Sequence, residues 1–315
     1  MKTRPRALVT GGAGFIGSHL VALLLARGWQ VRVLDNFTTG RRENLPASAP
    51  GLEIMSGDIR ENPAVDQACV GVKVVFHLAA LVSVVQSIKA PGLTEEINTQ
   101  GTGRIFTAAA RAGAHRVVFS SSCAVYGLPA GGAQHENMPA SPQSPYAATK
   151  LAGENLAAHA APGLSIVCLR YFNVYGPGQS AKSDYAAVIP RFIEAARHGR
   201  PPVIYGDGEQ TRDFIFVGDV AQANLQAAEH GDSLLRPAVF NIGTGHAISV
   251  NTLWGQIARH FPAAPGPIYQ PARSGEVRFS QADVNRARNV LSFTAGTNLT
   301  VGLGATIAAG RSVSP

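Results

Sequence analysis

The chain is short of most features that would mark a specialised architecture. Only three of its 315 residues are cysteine, at positions 69, 123 and 168. An odd number with no metal-ligand spacing argues against a disulfide framework and against a structural metal site. It fits reduced thiols in a cytoplasmic protein. Long apolar runs are also missing. "LVALLLA" at 20–26 falls far short of the roughly 20 residues that span a bilayer, so no membrane insertion is expected. The opening "MKTRPRALVT" reads as basic residues leading into a strand, without the helical apolar core and cleavage site of a secretory signal. Charge is sparse as well. Asp, Glu, Lys and Arg together make up 15% of the chain. The net charge of +7 is scattered, with only Arg41 and Arg42 adjacent. That pattern disfavours nucleic acid as a partner and suits a small anionic ligand. No internal repeat or low-complexity run is present.

What the chain does have is alternation. Short apolar, β-rich runs at 7–10, 31–34, 52–57, 74–79, 116–121 and 165–172 read as strands. Helical patterns lie between them, including 15–27, 98–112 and 146–160. A strand–helix alternation of this kind predicts an α/β fold with a doubly wound parallel sheet. Most strands are a dozen or more residues apart, enough for right-handed crossovers. Past residue 173 the texture changes to turn-rich stretches. A helix pattern there contains Pro190, which is expected near a boundary or kink. "VFNIGTG" at 239–245 reads as a strand returning to the main sheet. The expected division is a nucleotide-binding part over 1–173, with returning segments around 211–245. A smaller mixed α/β lid covers most of 174–315, interleaved with it.

The first apolar run is followed by "GGAGFIGSHL". Gly11, Gly14 and Gly17 sit between a strand and a helix, where glycines let backbone N–H groups close on a pyrophosphate at the helix N-terminus. Asp35 ends the second strand, 18 residues after Gly17. A carboxylate there accepts hydrogen bonds from the adenosine ribose and repels a 2′-phosphate, which favours NAD over NADP. Arg41 and Arg42 keep NADP open as an alternative. In "GDIR" at the third strand's end, Asp58 and Ile59 are placed to edge the adenine.

"SPYAATK" at 144–150 sets a tyrosine four residues ahead of a lysine. Ser144 can cap the helix and Pro145 is tolerated in its first turn. Tyr146 and Lys150 then share one face. A phenol with a pKa of about 10 is a poor base at neutral pH, and a neighbouring cation favours its ionised form.

"TGGAGFIG", "HLAA" (77–80), "SSSCAVYG" (120–127), the Tyr146/Lys150 pair and "RYFNVYGPG" (170–178) occur in one order. "TRDFIFVGDVA" (211–221) and "NIGTG" (241–245) follow. Together they resemble the extended short-chain dehydrogenase/reductase family over nearly the whole chain, and within it the UDP-galactose 4-epimerase group. The resemblance implies a Rossmann-type sheet, bound NAD and a UDP-sugar substrate. It implies that Tyr146 is the catalytic acid/base, with its pKa lowered by Lys150 and the nicotinamide. Ser122 would bond the substrate oxygen, with Ser121 as the alternative assignment. It places Phe15, Ile16, Asn36, Leu78, Ala79, Ala80, Asn98, Ser120 and Tyr171 at the cofactor with the residues above. Asn173, Val188, Tyr205, Arg212, Arg273, Glu276 and Ser280 fall at the substrate, with the two arginines on the diphosphate. Phe214 and Phe216 replace the Tyr and His usual in that motif, as packing changes.

Dehydratases of this family carry an Asp-Glu pair beside the serine or threonine, and this chain has Cys123 and Ala124 there. That leaves epimerisation: Tyr146 takes the proton of the sugar 4-hydroxyl while hydride passes from C4 to NAD. The 4-keto sugar turns over, and hydride returns to its other face. Ser280, two residues before an Ala-Asp pair, matches the gate beside the sugar 2-substituent, and a small residue there admits an N-acetyl group. "DYAAVIPRF" (184–192) points to N-acetylated UDP-hexoses as well. UDP-glucuronate remains a rival, against which Asn173 counts, because those epimerases usually have Thr there. A keto-sugar reductase and a non-catalytic NAD-binding regulator are the further alternatives. Small faces on the helices at 98–112 (Ala108, Ala109, Ala112) and 146–160 (Ala147, Ala148, Leu151, Ala152) suit either pairing in a homodimer or packing inside one subunit.

Overall fold

Six of the apolar runs become β1 (Arg6–Thr10), β2 (Gln30–Asp35), β3 (Leu52–Ser56), β4 (Val74–His77), β5 (Arg116–Ser122) and β6 (Ser165–Tyr171). They belong to a computed structural model that describes residues 5–181, 187–231, 238–273 and 275–310. With the returning strand Ala238–Ile242 at one edge they form a seven-stranded sheet. Its order is Ala238–Ile242, β6, β5, β4, β1, β2, β3. Every neighbouring pair is parallel, so each connection must cross a face of the sheet. Both faces are therefore covered, and the strands are apolar nearly throughout rather than alternating. On one face Leu20 and Leu24 of the Phe15–Ala26 helix pack with Phe76, Leu225 and Phe240. On the other, Leu8, Val75, Ile105 and Phe119 form a second core layer. The chain starts in the middle at β1, runs out to β3, then jumps back to β4. The direction reverses between β1 and β4, and in open parallel sheets ligands settle beyond the strand ends at such a point.

A smaller third core gathers Phe192, Ile193, Phe214, Leu253, Trp254 and Leu303. Over it lie strand Asn173–Tyr175, parallel to Thr211–Phe216, and Ala247–Ser249, antiparallel to the latter. A two-stranded piece, Val203–Tyr205 with Ile268–Gln270, stands beside them. Pro190 is the third residue of the Val188–Arg197 helix, inside the first turn, where no intrahelical N–H bond is lost. The segment around 211–245 divides between the two cores. Phe214 packs in the small one and Ile215 in the large one. The Val217–Glu229 helix that follows lies against the Phe15–Ala26 helix.

Two helical expectations change. The run at 98–112 starts earlier, as Pro91–Glu95, and passes through a π turn at Glu96–Gln100 before the Gly101–Arg111 helix. The small faces are also not free surfaces. Ala108 and Ala109 are buried in the large core, and Ala147 is buried too. Ala112, Ala148, Leu151 and Ala152 keep some exposure.

Candidate active site

β1 ends at Thr10 and the chain turns sharply. Gly11 has φ +67°, and a Cβ there would meet the Ala79 nitrogen at 2.8 Å. A Cβ on Gly17 would stand 2.2 Å from the Gly11 carbonyl oxygen. Both positions therefore exclude any side chain. The Phe15–Ala26 helix begins with Gly14 as N-cap and no side-chain cap, which leaves its first N–H groups open to an anion. Phe15 and Ile16 flank that opening, half-buried. The Asp35 carboxylate accepts from Ala13 N (2.9 Å) and Phe37 N (2.8 Å), tying the glycine loop to the end of β2. Asn36 Nδ2 donates to Asp58 at 2.8 Å. Arg60 forks onto Asp58 at 3.0 and 2.9 Å, and these bonds, with burial opposing, hold its carboxyl at about 2. Ile59 is buried next to Gly101. Leu78, Ala79 and Ala80 follow β4 and lie over the loop, with Ala79 N donating to Thr10 Oγ1 at 3.2 Å. A side-chain-free cradle, an uncapped helix end and a carboxylate closing β2 fit the pyrophosphate and ribose of a dinucleotide.

Beside this cradle stand the three candidate catalytic residues. Alternation along β5 separates its serines. Ser121 is buried and donates to Glu154, which forms a two-bond ion pair with Arg170 at 2.9 and 2.7 Å. Ser121 is thereby committed to the interior, and Ser122 is left at the site. Ser122 accepts from Ala124 N at 3.2 Å, and its side chain stands near enough to Tyr146 to favour the ionised phenol. The Pro145–Ala158 helix is capped by Ser144, which accepts from Ala147 N at 3.2 Å. Lys150 Nζ donates to the Ser120 carbonyl at 2.8 Å and lies 5.9 Å from the centre of the Tyr146 ring. Burial, with no carboxylate in reach to offset it, lowers the Lys150 pKa from 10.5 to about 8.

The expected lowering of Tyr146 does not arise from the protein groups. Burial outweighs the influence of nearby Ser122 and pushes the phenol up to about 12. A fixed positive charge brought by the cofactor has to supply the opposite pull.

Some cofactor-side residues prove to be braces. Asn98, within the π turn, bonds both backbone groups of Leu81 (2.8 and 3.0 Å) and Thr149 (3.1 Å), which spends its amide. The Tyr171 hydroxyl is engaged by Ser120 at 3.0 Å and by Asn224, and its ring is buried in the large core. Sequence reasoning missed His77. It is wholly buried, with Nδ1 2.7 Å from Thr10 Oγ1 and Nε2 2.9 Å from Thr102 Oγ1. Burial lowers its pKa to about 3, so it stays neutral. Thr102 passes on to the Asn98 carbonyl at 2.5 Å, so β1, β4 and the π turn are linked in one chain. No spacing in the sequence marks those partners.

Asn173, Val188, Tyr205, Arg212, Arg273 and Glu276 all line one cleft of about 630 Å³ against the small core. Arg273 stacks on the Tyr205 ring at 3.7 Å, and Arg212 meets Glu276 at 3.3 Å. Ser122, Tyr146 and Ser280 are not part of its lining. Ser280 is buried and lies beside the Cys123 thiol, next to Ser122. Burial raises that thiol to about 11, so Cys123 is a protonated packing residue. Phe214 packs in the small core and Phe216 lies edge-on to Tyr175 at 5.7 Å. Residues 184–186 of the "DYAAVIPRF" stretch, and Ser274, lie outside the described residues. Among the described residues no cluster of His, Cys, Asp and Glu has metal-binding character. None of the described helices is long and apolar enough to cross a membrane.

A nucleotide cradle at the switch point, with a buried tyrosine and lysine beside it, defines a dinucleotide-dependent enzyme of the Rossmann type. The family model for the NAD dependent epimerase/dehydratase family matches residues 7–243. The chain belongs to that family, and its cofactor is NAD. A UDP-glucose 4-epimerase of Mycolicibacterium smegmatis is 39% identical over 322 residues, covering 96% of this chain and 97% of its own. The solved UDP-N-acetylglucosamine 4-epimerase of Methanobrevibacter ruminantium, in complex with UDP-N-acetylmuramic acid, is similar at TM-score 0.94. It is 36% identical, with 99% of this chain and 100% of that one covered. MoeE5 in complex with UDP-glucuronic acid and NAD gives TM-score 0.89 and 40% identity, over 98% and 100%.

Proposed function

We propose that the chain is a UDP-sugar 4-epimerase, acting on UDP-GlcNAc/UDP-GalNAc and on UDP-glucose/UDP-galactose. The observation that carries this reading is a serine, tyrosine and lysine set with no carboxylic acid at the two positions after Ser122. Such a site can shuttle one proton at the sugar 4-oxygen and has nothing there to expel water from the sugar.

Residues 1–173 and the segments around 211–245 would hold NAD through the glycine loop, Asp35 and the Leu78–Ala80 stretch. Bound NAD would supply a hydride acceptor and donor. Tyr146 takes the 4-hydroxyl proton and later returns it. Ser122 holds the same oxygen, and Lys150 keeps a positive charge near the phenol at neutral pH. A sugar that must present both faces cannot be gripped closely, so affinity has to come from a remote handle. Arg212 and Arg273 in the cleft suit the diphosphate, since a guanidinium bonds phosphate oxygens in pairs. Asn173, Val188, Tyr205 and Glu276 complete that side. Ser280, with its small side chain near Ser122, leaves room for the 2-N-acetyl group. The relatives' names and bound ligands support the substrate class. UDP-glucuronate is the second reading, favoured by the ligand of MoeE5 and opposed by Asn173. A homodimer in the cytoplasm fits the family, with the partly exposed Ala148, Leu151 and Ala152 face as its seat.

The test is incubation with a panel of UDP- and dTDP-sugars, followed by proton NMR and mass spectrometry of the products. The expected result is interconversion of 4-epimers at unchanged mass. Loss of water or carbon dioxide from the sugar at a useful rate would replace this reading with another reaction of the family.

A further inference from the structure

The strand Thr211–Phe216 turns Arg212 and Phe214 toward the cleft. Asp213 lies between them, and alternation points it to the opposite side. It is fully buried. Its carboxylate accepts four hydrogen bonds, from Thr244 N (2.9 Å), Thr244 Oγ1 (2.6 Å), Gly245 N (2.9 Å) and Ala282 N (3.1 Å). All four donors are neutral, and each such bond to a carboxylate is stronger than one between neutral groups. The Asp213 carbonyl accepts a further bond from Asn173 Nδ2 at 3.2 Å. Packing is close enough that a Cβ on Gly243 would stand 2.9 Å from Asp213 Oδ2 and 2.7 Å from the Ala282 side chain.

Ala282 is two residues past Ser280, on a segment held from the other side by Gln134. Gln134 N donates to Gln281 O at 2.8 Å, and Gln281 N donates to Gln134 Oε1 at 2.9 Å. One buried carboxylate thus connects the strand carrying Arg212, the 243–245 turn and the segment carrying Ser280, while the backbone carbonyl of the same residue holds the Asn173 side chain. The residue thereby ties Arg212 and Asn173, which line the cleft, to the segment of Ser280, which lies beside Cys123 next to Ser122.

We propose that Asp213 is a positioning residue for the sugar pocket. By holding the 280–282 segment and the 243–245 turn against the back of the Arg212 strand, it sets the gap between the diphosphate arginine and the Ser280 wall. That gap decides which substituent at sugar C2 is admitted. The proposal rests on the UDP-sugar reading and names the part that sets its selectivity.

The test is calorimetric binding of UDP, UDP-glucose and UDP-GlcNAc to the NAD-loaded protein, wild type against Asp213→Asn. Asparagine keeps the shape but turns an NH2 toward N–H donors, so one side of the clamp is lost. UDP reads the nucleotide handle and should change little. The ratio of UDP-GlcNAc to UDP-glucose affinity should shift by at least about 5-fold, the lower end for buried groups left unpaired. An unchanged ratio in a folded, NAD-loaded Asp213→Asn protein overturns the proposal. If that variant does not fold, Thr244→Val removes only the 2.6 Å hydroxyl bond. The ratio should then move about 2- to 5-fold and return in Thr244→Ser. A Thr244→Val protein with the wild-type ratio overturns the proposal equally. A wild type that binds none of the three ligands sinks the UDP-sugar reading itself and removes the proposal with it. That outcome is distinct from a wild type that discriminates and variants that discriminate just as well.

Discussion

Lys150 gives the most direct handle on the site, because one proton there should govern stability and activity in opposite senses. Its ammonium is buried, with a neutral carbonyl 2.8 Å away as its hydrogen-bond acceptor. Its pKa falls from 10.5 to about 8. A drop of about 2.5 units corresponds to about 3 kcal/mol at about 1.36 kcal/mol per unit. Below pH 8 both folded and unfolded chains carry the proton, and the full burial penalty is present. Between pH 8 and 10.5 the unfolded chain binds more protons than the folded one, so this group makes the protein more stable as pH rises. The buried thiols act the other way. Cys69 and Cys123 are raised to about 11 from 9.0, so they stabilise the fold less and less above pH 9. The quantity to measure is therefore a difference. Urea denaturation of the protein stripped of NAD, from pH 7 to 9.5, should be run on wild type and on Lys150→Met. Wild-type stability minus mutant stability should climb by about 1.4 kcal/mol per pH unit above pH 8. In epimerase assays with NAD present, the wild-type advantage in kcat/KM over Lys150→Met should shrink across the same range, as the cation beside Tyr146 is lost. A flat stability difference would refute the buried-cation account of Lys150.

Three further outcomes follow from the site. Tyr146→Phe should lower epimerase activity by at least about 100-fold, the scale of a lost acid/base group, while NAD stays bound; wild-type-like turnover in that variant would remove Tyr146 from the chemistry. Ser280→Tyr should reduce kcat/KM for UDP-GlcNAc relative to UDP-glucose by roughly 5- to 150-fold, the kinetic equivalent of about 1–3 kcal/mol of overpacking. A general folding defect would leave that ratio unchanged. Denatured protein should release NAD or NADH, read by chromatography; a predominance of NADP would mean that Arg41 or Arg42 controls the adenosine pocket in place of Asp35.

The sequence revealed most where the constraint is local. Glycine spacing, the strand-end Asp35 and the Tyr146/Lys150 pair are all set by short-range geometry, and each lies where its pattern implied. The π turn was illegible, because one added residue in a helix leaves no mark on apolar periodicity. Asn98 is expected at the cofactor from the resemblance alone, and only the fold shows that its amide also ties Leu81 to Thr149. The choice between Ser121 and Ser122 needed the strand's register and the Glu154–Arg170 pair behind it. The alanines at 108, 109 and 147 suit a dimer face or an internal one equally, because a buried small residue and an interfacial one are alike in one dimension; the fold packs them inside. Asp213 and His77 take their roles from partners 25 to 69 residues away in the chain, which no window along the sequence can see.

The strand Thr211–Phe216 begins in the small core and runs directly into a helix on the large sheet. It is one of several passages between the two bodies. Asn173 leaves β6 for the small sheet, Ala247–Ser249 returns there after the Ala238–Ile242 strand, and the chain crosses again between the Asn285–Leu291 helix and Leu303 of the Leu299–Ala309 helix. A cap joined by one covalent thread can swing freely, and nicking the thread sets it loose. Here a single peptide-bond cleavage in the 176–181 loop would leave the remaining passages intact. Limited proteolysis there should consequently yield nicked protein that migrates as an intact particle until denaturant is added.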